Sequence, residues 1–186
     1  LSATVQVSLG ARRAEVADEN RGNGTRNSDS ETVTTASIAW QFHESMRLLL
    51  RRDEVLRYAN VDENSFTLPA VSFLAPQTGT SLEGGIEWFA ERFNGRAVVF
   101  DLDLDDEILY DPSAPGPSAE FGSFGANINL ESSSRQGALL EWQWTASSRL
   151  SIGGSYTYTD AEVTSGTFDG NEIPYVSELS LIHISE

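Results

Sequence analysis

The densest run of chemistry-bearing side chains is Asp101, Asp103, Asp105, Asp106 and Glu107, within FDLDLDDEILY. Carboxylates at alternate positions resemble the spacing of a calcium loop, whose oxygens converge on a hard cation. Asp101, Asp103 and Asp105 are therefore the candidate metal ligands. The glycine such a loop needs after its third Asp is missing, because Asp106 stands there. The competing reading is a solvated, charged wall. A second charged set is Arg47, Arg51, Glu83, Glu87 and Glu141. It would form a wall with Asp101 and Asp103, and Arg47 and Arg51 could neighbour Glu83 and Glu87 across adjacent strands. Catalytic chemistry is not indicated. His43 stands alone in a short turn, and no Ser-His-Asp order, metal-ligand cluster or phosphate loop appears. Zero cysteines exclude thiolate chemistry and disulfides. Carboxylate pairs follow from an acidic composition and do not argue for a glycosidase. The expectation is no enzyme and no cofactor.

The elements that position these side chains are long alternating strands. The clearest pair is Arg135 to Val163. Ala138, Leu140, Trp142 and Trp144 alternate with Leu139, Glu141 and Gln143. Beyond a turn at 145–149, Leu150, Ile152, Tyr156 and Tyr158 alternate with Ser151, Ser155 and Thr157. Earlier strands repeat the pattern: Leu1 to Arg12 (Leu1, Ala3, Val5, Val7 and Leu9), Ala36 to Phe42, Met46 to Arg51, Leu82 to Trp88, and Val98 to Leu104 and on toward Tyr110. On the fifth strand Val98, Phe100, Leu102 and Leu104 are expected on the apolar face, with Asp101 and Asp103 opposite. Strands of about ten tilted residues span a bilayer's hydrocarbon core.

The connections alternate long and short. The long ones are 18–31, 53–80, 111–134 and 160–177. The short ones are 43–45, 90–95 with its Asn94-Gly95 hairpin signal, and 145–149. Trp40, Trp88, Trp142 and Trp144 fall near short turns, and Tyr110, Tyr156 and Tyr158 toward long loops, as interfacial aromatic belts would. Strand length, loop asymmetry and aromatic placement together predict an all-β, antiparallel, up-and-down transmembrane barrel, present as a partial barrel or open curved sheet of seven or eight strands. A soluble sandwich explains the alternation alone. Asn23-Gly24-Thr25 matches a glycosylation acceptor but reads better as a hairpin turn.

The net charge of −16, from 12 basic and 28 acidic residues, argues against nucleic acid and against attachment to anionic lipid. No Met or signal peptide opens the chain and Leu1 already stands in a strand pattern, so an N-terminally truncated fragment is expected. Residues 179–186, LSLIHISE, look like a non-native, adaptor-derived tail. On that reading natural sequence ends near Glu178 and His183 has no role. The other reading is a genuine short strand.

Several stretches resemble the barrel of TonB-dependent outer-membrane receptors. They are Leu56-Arg57-Tyr58-Ala59-Asn60-Val61-Asp62-Glu63; Leu74-Ala75-Pro76-Gln77 with Glu83-Gly84-Gly85-Ile86-Glu87; Asn129 with Arg135-Gln136-Gly137 and Glu141; and Gly154 to Ala161 followed by Gly170 to Val176. Leu56, Gln77 and Leu140 depart from the family pattern. The resemblance implies a middle-to-late part of a barrel of about 22 strands, whose lumen must be plugged. It implies outer-membrane lipid around it, a plug domain of its own, the TonB–ExbB–ExbD system as energy source, and a siderophore-like ligand bound by loops 18–31, 53–80, 111–134 and 160–177. A small eight-stranded barrel of structural or adhesive role stays open as the alternative.

Overall fold

In the computed structural model, residues 4–118, 124–174 and 176–185 are described, with the side chains of 183–185 left aside. Leu1, Ala3, Tyr175, Glu186, residues 119–123 of the third long connection and the His183 side chain lie outside that set.

The strands are β1 (Thr4–Asn20), β2 (Thr25–His43), β3 (Met46–Arg57), β4 (Gln77–Phe89), β5 (Phe93–Pro115), β6 (Phe124–Ser147), β7 (Leu150–Ser165) and β8 (Leu179–Ser185), with one short helix α1 (Val61–Ser65). They pair strictly in chain order as one open antiparallel sheet. Such a meander needs only local hairpins, and it leaves the outer edges of β1 and β8 without a described neighbour.

One face is apolar and solvent-exposed over the lower two thirds of the strands. Leu9 is 80% exposed, Leu50 61% and Val99 63%, and Ile38, Trp40, Leu82 and Leu140 share the face. A soluble sheet would cover such a face, because exposed apolar patches of this extent mark an interaction surface. The buried core lies elsewhere, at the long-connection end. There Leu130, Ala161, Val163 and Ile173 cluster with Leu109, Ile128 and Val176.

The short turns are staggered. The β2–β3 turn abuts the row Met46–Trp88–Gly95–Trp142–Gly154, whereas the β6–β7 turn follows the lower pair Ser147–Leu150. This stagger is the shear that tilted strands need to close into a barrel. It also explains the aromatics. Trp40 and Tyr156 lie in one hydrogen-bonded row through Leu48, Ile86, Ala97 and Leu140, yet Tyr156 stands much farther along its strand from its own turn.

The long connections are shorter than expected. β1 and β2 pair through Asn20 and Thr25, so 18–31 is a hairpin end with a tight turn at 21–24; the Gly24 amide donates to the Asn20 carbonyl at 2.8 Å, with Gly24 at φ 72°. β3 runs to Arg57 and β4 starts at Gln77, cutting 53–80 to 58–76. β5 reaches Pro115 and β6 starts at Phe124, so most of 111–134 is ladder. β7 runs to Ser165, leaving 166–178 of the last connection. On β1 and β2 both faces beyond the apolar band meet water, so hydropathy alternation stops while the backbone ladder continues. The extensions of β5, β6 and β7 are instead covered by the connections 58–76 and 166–178, around the core at Leu130, Ala161, Val163 and Ile173. Asn94-Gly95 lies inside β5, and the turn is at 90–92. Gly95 is needed there for another purpose: a Cβ would come within 2.6 Å of the Trp88 ring that lies across it.

β8 pairs Leu179–Ser185 with Ile152–Tyr158 of β7. An alternating apolar segment beside an open edge pairs readily whatever its origin, so the pairing leaves the reading of 179–186 where the sequence put it.

Candidate functional site

The less apolar face carries a ladder of charge. Gln41, Arg47, Glu87, Arg96 and Glu141 stand directly opposite one another across β2 to β6. Arg47 Nε donates to Glu87 Oε2 at 2.6 Å, and Arg96 Nε donates to Glu141 Oε2 at 2.5 Å. The Arg47 guanidinium also lies 5.4 Å from the Phe89 ring centre. Arg51 is opposite Glu83 but turns along its own strand to Asp53, at 2.5 Å. Glu83 is exposed and appears in no ion pair among the described residues. Signs alternate along the row, so each charge is offset by a neighbour. These pairs are partly solvated, and each is worth about 1 kcal/mol or less.

Asp101 and Asp103 do not join this wall. The register sets Asp101 opposite Leu82 and Gln136, and Asp103 opposite Thr80 and Ser134, on the face of Leu50 and Leu140. Val98, Phe100, Leu102 and Leu104 share the face of Glu83 instead. The sequence misleads here because Val98 and Val99 are both apolar, so β5 has no parity of its own. Its face is decided by Arg96 landing between Glu87 and Glu141. Nor do Asp101, Asp103 and Asp105 converge. Alternate positions on an extended strand stand about 6.6 Å apart. Asp101 accepts from Gln136 and Asp105 from Ser132. Among the described residues no group of three or more His, Cys, Asp or Glu is placed to hold a metal.

At Asp106 the strand switches faces. Its φ is 54°, left-handed and unusual for a residue with a side chain. Asp105 bonds Ser132, whereas Glu107, two residues on, bonds Ser133 and Arg135. Ser132 and Ser133 are consecutive on β6, so Asp105 and Glu107 lie on opposite faces. Arg135 grips both oxygens of Glu107, and the two side chains are 16% and 12% exposed. Burial, then the charge of Asp105, pushes the Asp106 carboxyl above its ordinary value.

Residues of three of the quoted motifs, Arg57, Asn60 and Glu63 of the first, Ala75 of the second and Asn129 of the third, meet in one place, where 58–76 lies against the β5–β6 hairpin. Asn60 caps α1, its side chain accepting from the Glu63 amide at 2.9 Å while Glu63 Oε2 accepts from the Asn60 amide at 2.8 Å. Arg57 Nη1 donates to both oxygens of Glu63, at 2.8 and 3.0 Å, and Arg57 Nη2 donates to the Ile108 carbonyl at 3.1 Å. Asn129 Nδ2 donates to the carbonyls of Ala75 and Asp106, and its Oδ1 accepts from the Ala75 amide. Asn127 Nδ2 donates to the Glu63 carbonyl, and its backbone amide to that of Phe66. Burial works to raise the Glu63 pKa, but the Arg57 and Asn60 hydrogen bonds and the Arg57 charge outweigh it and hold the carboxyl below its ordinary value. Sequence spacing could not show that these motifs close on one another, because their members lie up to 72 residues apart.

The aromatics near the short turns form two groups. Trp88, Phe93 and Trp142 stack at 6.1 and 6.4 Å between ring centres, and Trp40 meets Phe42 at 5.6 Å. Trp144 pairs with Phe93 at the lower rim. Tyr156 and Tyr158 share the apolar face higher on β7. Tyr110 sits on the β5 extension, over Gly125. His43 Nδ1 lies 2.9 Å from Ser45 Oγ and receives the Ser45 amide, holding the β2–β3 turn.

A family model described as "TonB dependent receptor-like, beta-barrel" matches residues 1–182. The chain belongs to this family. No curated protein matches by sequence. Among solved structures, this receptor-family barrel is similar to the copper transporter OprC (16% identity, TM-score 0.70, 95% of this chain and 29% of that one). It is also similar to the ferric preacinetobactin receptor BauA of Acinetobacter baumannii (17%, 0.69, 94% and 26%). A third is the alcaligin outer-membrane receptor FauA of Bordetella pertussis (19%, 0.65, 97% and 31%). The chain thus spans less than a third of the length of these relatives. At such identities the likeness shows the fold alone, an all-β partial barrel; the family model is what places the chain among receptor barrels and not among enzymes.

Proposed function

We propose that this chain is an arc of an outer-membrane receptor that imports a scarce, bulky ligand, most simply a ferric siderophore, with energy supplied through TonB. The observation that carries this reading is the division of the sheet. An exposed apolar face with two aromatic groups suits lipid, and a self-compensating charged face suits a wet lumen. Membership of the receptor family and the likeness to metal and siderophore receptors support the ligand class. On this reading Arg47, Arg51, Glu83, Glu87 and Glu141 line the lumen, and Trp40, Trp88, Trp142, Trp144, Tyr156 and Tyr158 lie in the two interfacial belts. The lumen is filled by a plug domain, and the TonB–ExbB–ExbD system acts on the plug.

The test is iron uptake. The complete receptor gene is expressed in an outer-membrane host that lacks its own siderophore receptors, with and without TonB, and supplied with iron-labelled chelates. TonB-dependent accumulation of at least one ferric chelate supports the reading. Correct folding at the surface with no accumulation of any chelate overturns it and favours the small structural barrel.

A further inference from the structure

Charge is divided unevenly between the two ends of the sheet. Leu9, Ala36, Arg52, Leu82, Asp101, Gln136 and Asp160 lie in one hydrogen-bonded row. From that row to the long connections (residues 9–36, 52–82, 101–136 and 160–178) the chain carries seven arginines against 22 carboxylates, a net −15; the rest carries five against six, a net −1. Five of those seven arginines are already paired: Arg13 with Glu15, Arg26 with Glu19, Arg52 with Glu54, Arg57 with Glu63, and Arg135 with Glu107. Arg12 is directed at the Leu56 carbonyl. The seventh, Arg21, stands on the β1–β2 turn and is in no ion pair among the described residues, so an anion arriving at this end meets a repulsive field with one cation left to offset it.

The same end holds a cleft of about 600 Å³ between the β1–β2 turn and residues 66–73. That volume is within the range of small-molecule sites. Its walls carry three charged residues, Asp18, Glu19 and Arg21, beside Asn20 and apolar Leu68, Val71 and Phe73; Glu19 is paired with Arg26. Both walls are fixed. Asn23 Nδ2 donates to Ser72 Oγ at 2.9 Å, the Asn127 amide donates to the Phe66 carbonyl at 2.7 Å, and Asn64 Oδ1 accepts from the Leu74 amide at 2.9 Å. Thr67 is buried, and Ala70 takes a left-handed φ of 70°, so this arm is a shaped turn.

We propose that the cleft binds part of a ferric chelate that is neutral or cationic, and that this arc excludes polyanionic chelates. The inference rests on the uptake reading above and adds the charge class and the place. Apolar walls suit methylene spacers, the Asn20 amide suits hydroxamate or amide groups, and the two carboxylates, Asp18 and Glu19, outnumber the one guanidinium, Arg21, which favours a neutral or cationic group over a polyanion. A ferric trihydroxamate has this chemistry; a trianionic ferric tris-catecholate does not. Fields of one sign at a mouth change encounter rates by roughly 10-fold or more, and salt weakens them.

The experiment supplies both labelled chelates to cells displaying the intact receptor, native or carrying Asp18→Lys or Val71→Trp. Surface level and heat-modified gel mobility report folding. The expected result is TonB-dependent uptake of the trihydroxamate, with the tris-catecholate at least about tenfold slower and the gap narrowing as salt rises. Folded Val71→Trp receptor should bind the trihydroxamate at least about tenfold more weakly, since the added ring fills the cleft. Equal or faster uptake of the tris-catecholate overturns this inference and leaves the uptake reading standing. Unchanged trihydroxamate binding by both folded variants overturns the placement in the cleft. Uptake of neither chelate, nor of any other, overturns the receptor reading itself.

Discussion

Replacing Arg57 by Ala tests whether the clamp holds residues 58–76. The guanidinium makes two bonds to Glu63 and one to the Ile108 carbonyl, at 2.8, 3.0 and 3.1 Å, and a longer one to Gln77 Oε1 at 3.4 Å. Charge-assisted bonds contribute about 1.5–3 kcal/mol when protected. Here the Arg57 side chain is 40% exposed and that of Glu63 21%, so solvent screening reduces the whole set to about 1–2 kcal/mol. At about 1.4 kcal/mol per factor of ten, local opening should become roughly 5- to 30-fold more frequent. The assay is hydrogen exchange with mass spectrometry on the intact receptor in detergent. Peptides covering 58–76 and 106–110 should exchange faster by that factor, while the β1–β2 ladder below Arg12 is unchanged. The pH dependence follows from Glu63. Its folded pKa is depressed, so its contribution is complete above the unfolded value near 4.5 and is lost only as pH falls through the lower folded value. The native clamp should therefore be insensitive from about pH 7 down toward 4.5 and loosen only below it. Exchange at 58–76 unaltered by Arg57→Ala, or loosened equally across the sheet, would refute the reasoning.

Three further outcomes are expected. Leu50→Arg, on the exposed apolar face, should cost about 2–4 kcal/mol of barrel stability in lipid, whereas Leu49→Arg, on the face of Glu83, should cost far less. Urea titrations in bilayers compare the two, and equal losses would contradict the face assignment. Glu87→Arg places three cations in one row with Arg47 and Arg96. It should destabilise by about 1 kcal/mol and be partly rescued by Arg47→Glu, read as a double-mutant cycle in which zero coupling counts against the ladder. Gly137→Val should block folding, since even a Cβ there would run into the Tyr158 backbone carbonyl as well as come within 2.6 Å of Phe100 Cζ, while Gly24→Ala, strained but in open space, should cost about 1 kcal/mol. Gel mobility before and after heating separates the two, and a folded Gly137→Val barrel would show that the crowding between β6 and β7 is not real.

The sequence by itself determined the class of sheet, the order of strands and the face of six of them. Where apolar and polar residues alternate, as in Val5–Val7–Leu9 or Leu48–Leu50 with Arg47–Arg51, the period of two leaves one orientation. It also determined the short-turn end, because Trp40, Trp88 and Trp142 cluster there. Alternation failed where its physical cause ends. Beyond the apolar band both faces of 18–20 and 25–31 meet water, and 124–134 is covered by the connections 58–76 and 166–178 rather than by an alternating apolar face, so none of the three gave a strand signal although their backbones pair. Only the tertiary register decided β5. Val98 and Val99 fit either face, and the strand turned on Arg96 reaching Glu87 and Glu141, which sent Asp101 and Asp103 to the other side. The clamp too belonged to tertiary structure. Arg57, Glu63 and Asn129 were legible as a motif, but what they hold depends on β4 being short and the β5–β6 hairpin being long. That difference leaves a flank of polar backbone at Asp106 to Ile108, and the side chains of Arg57 at the end of β3, Gln77 at the start of β4 and Asn129 on β6 satisfy it.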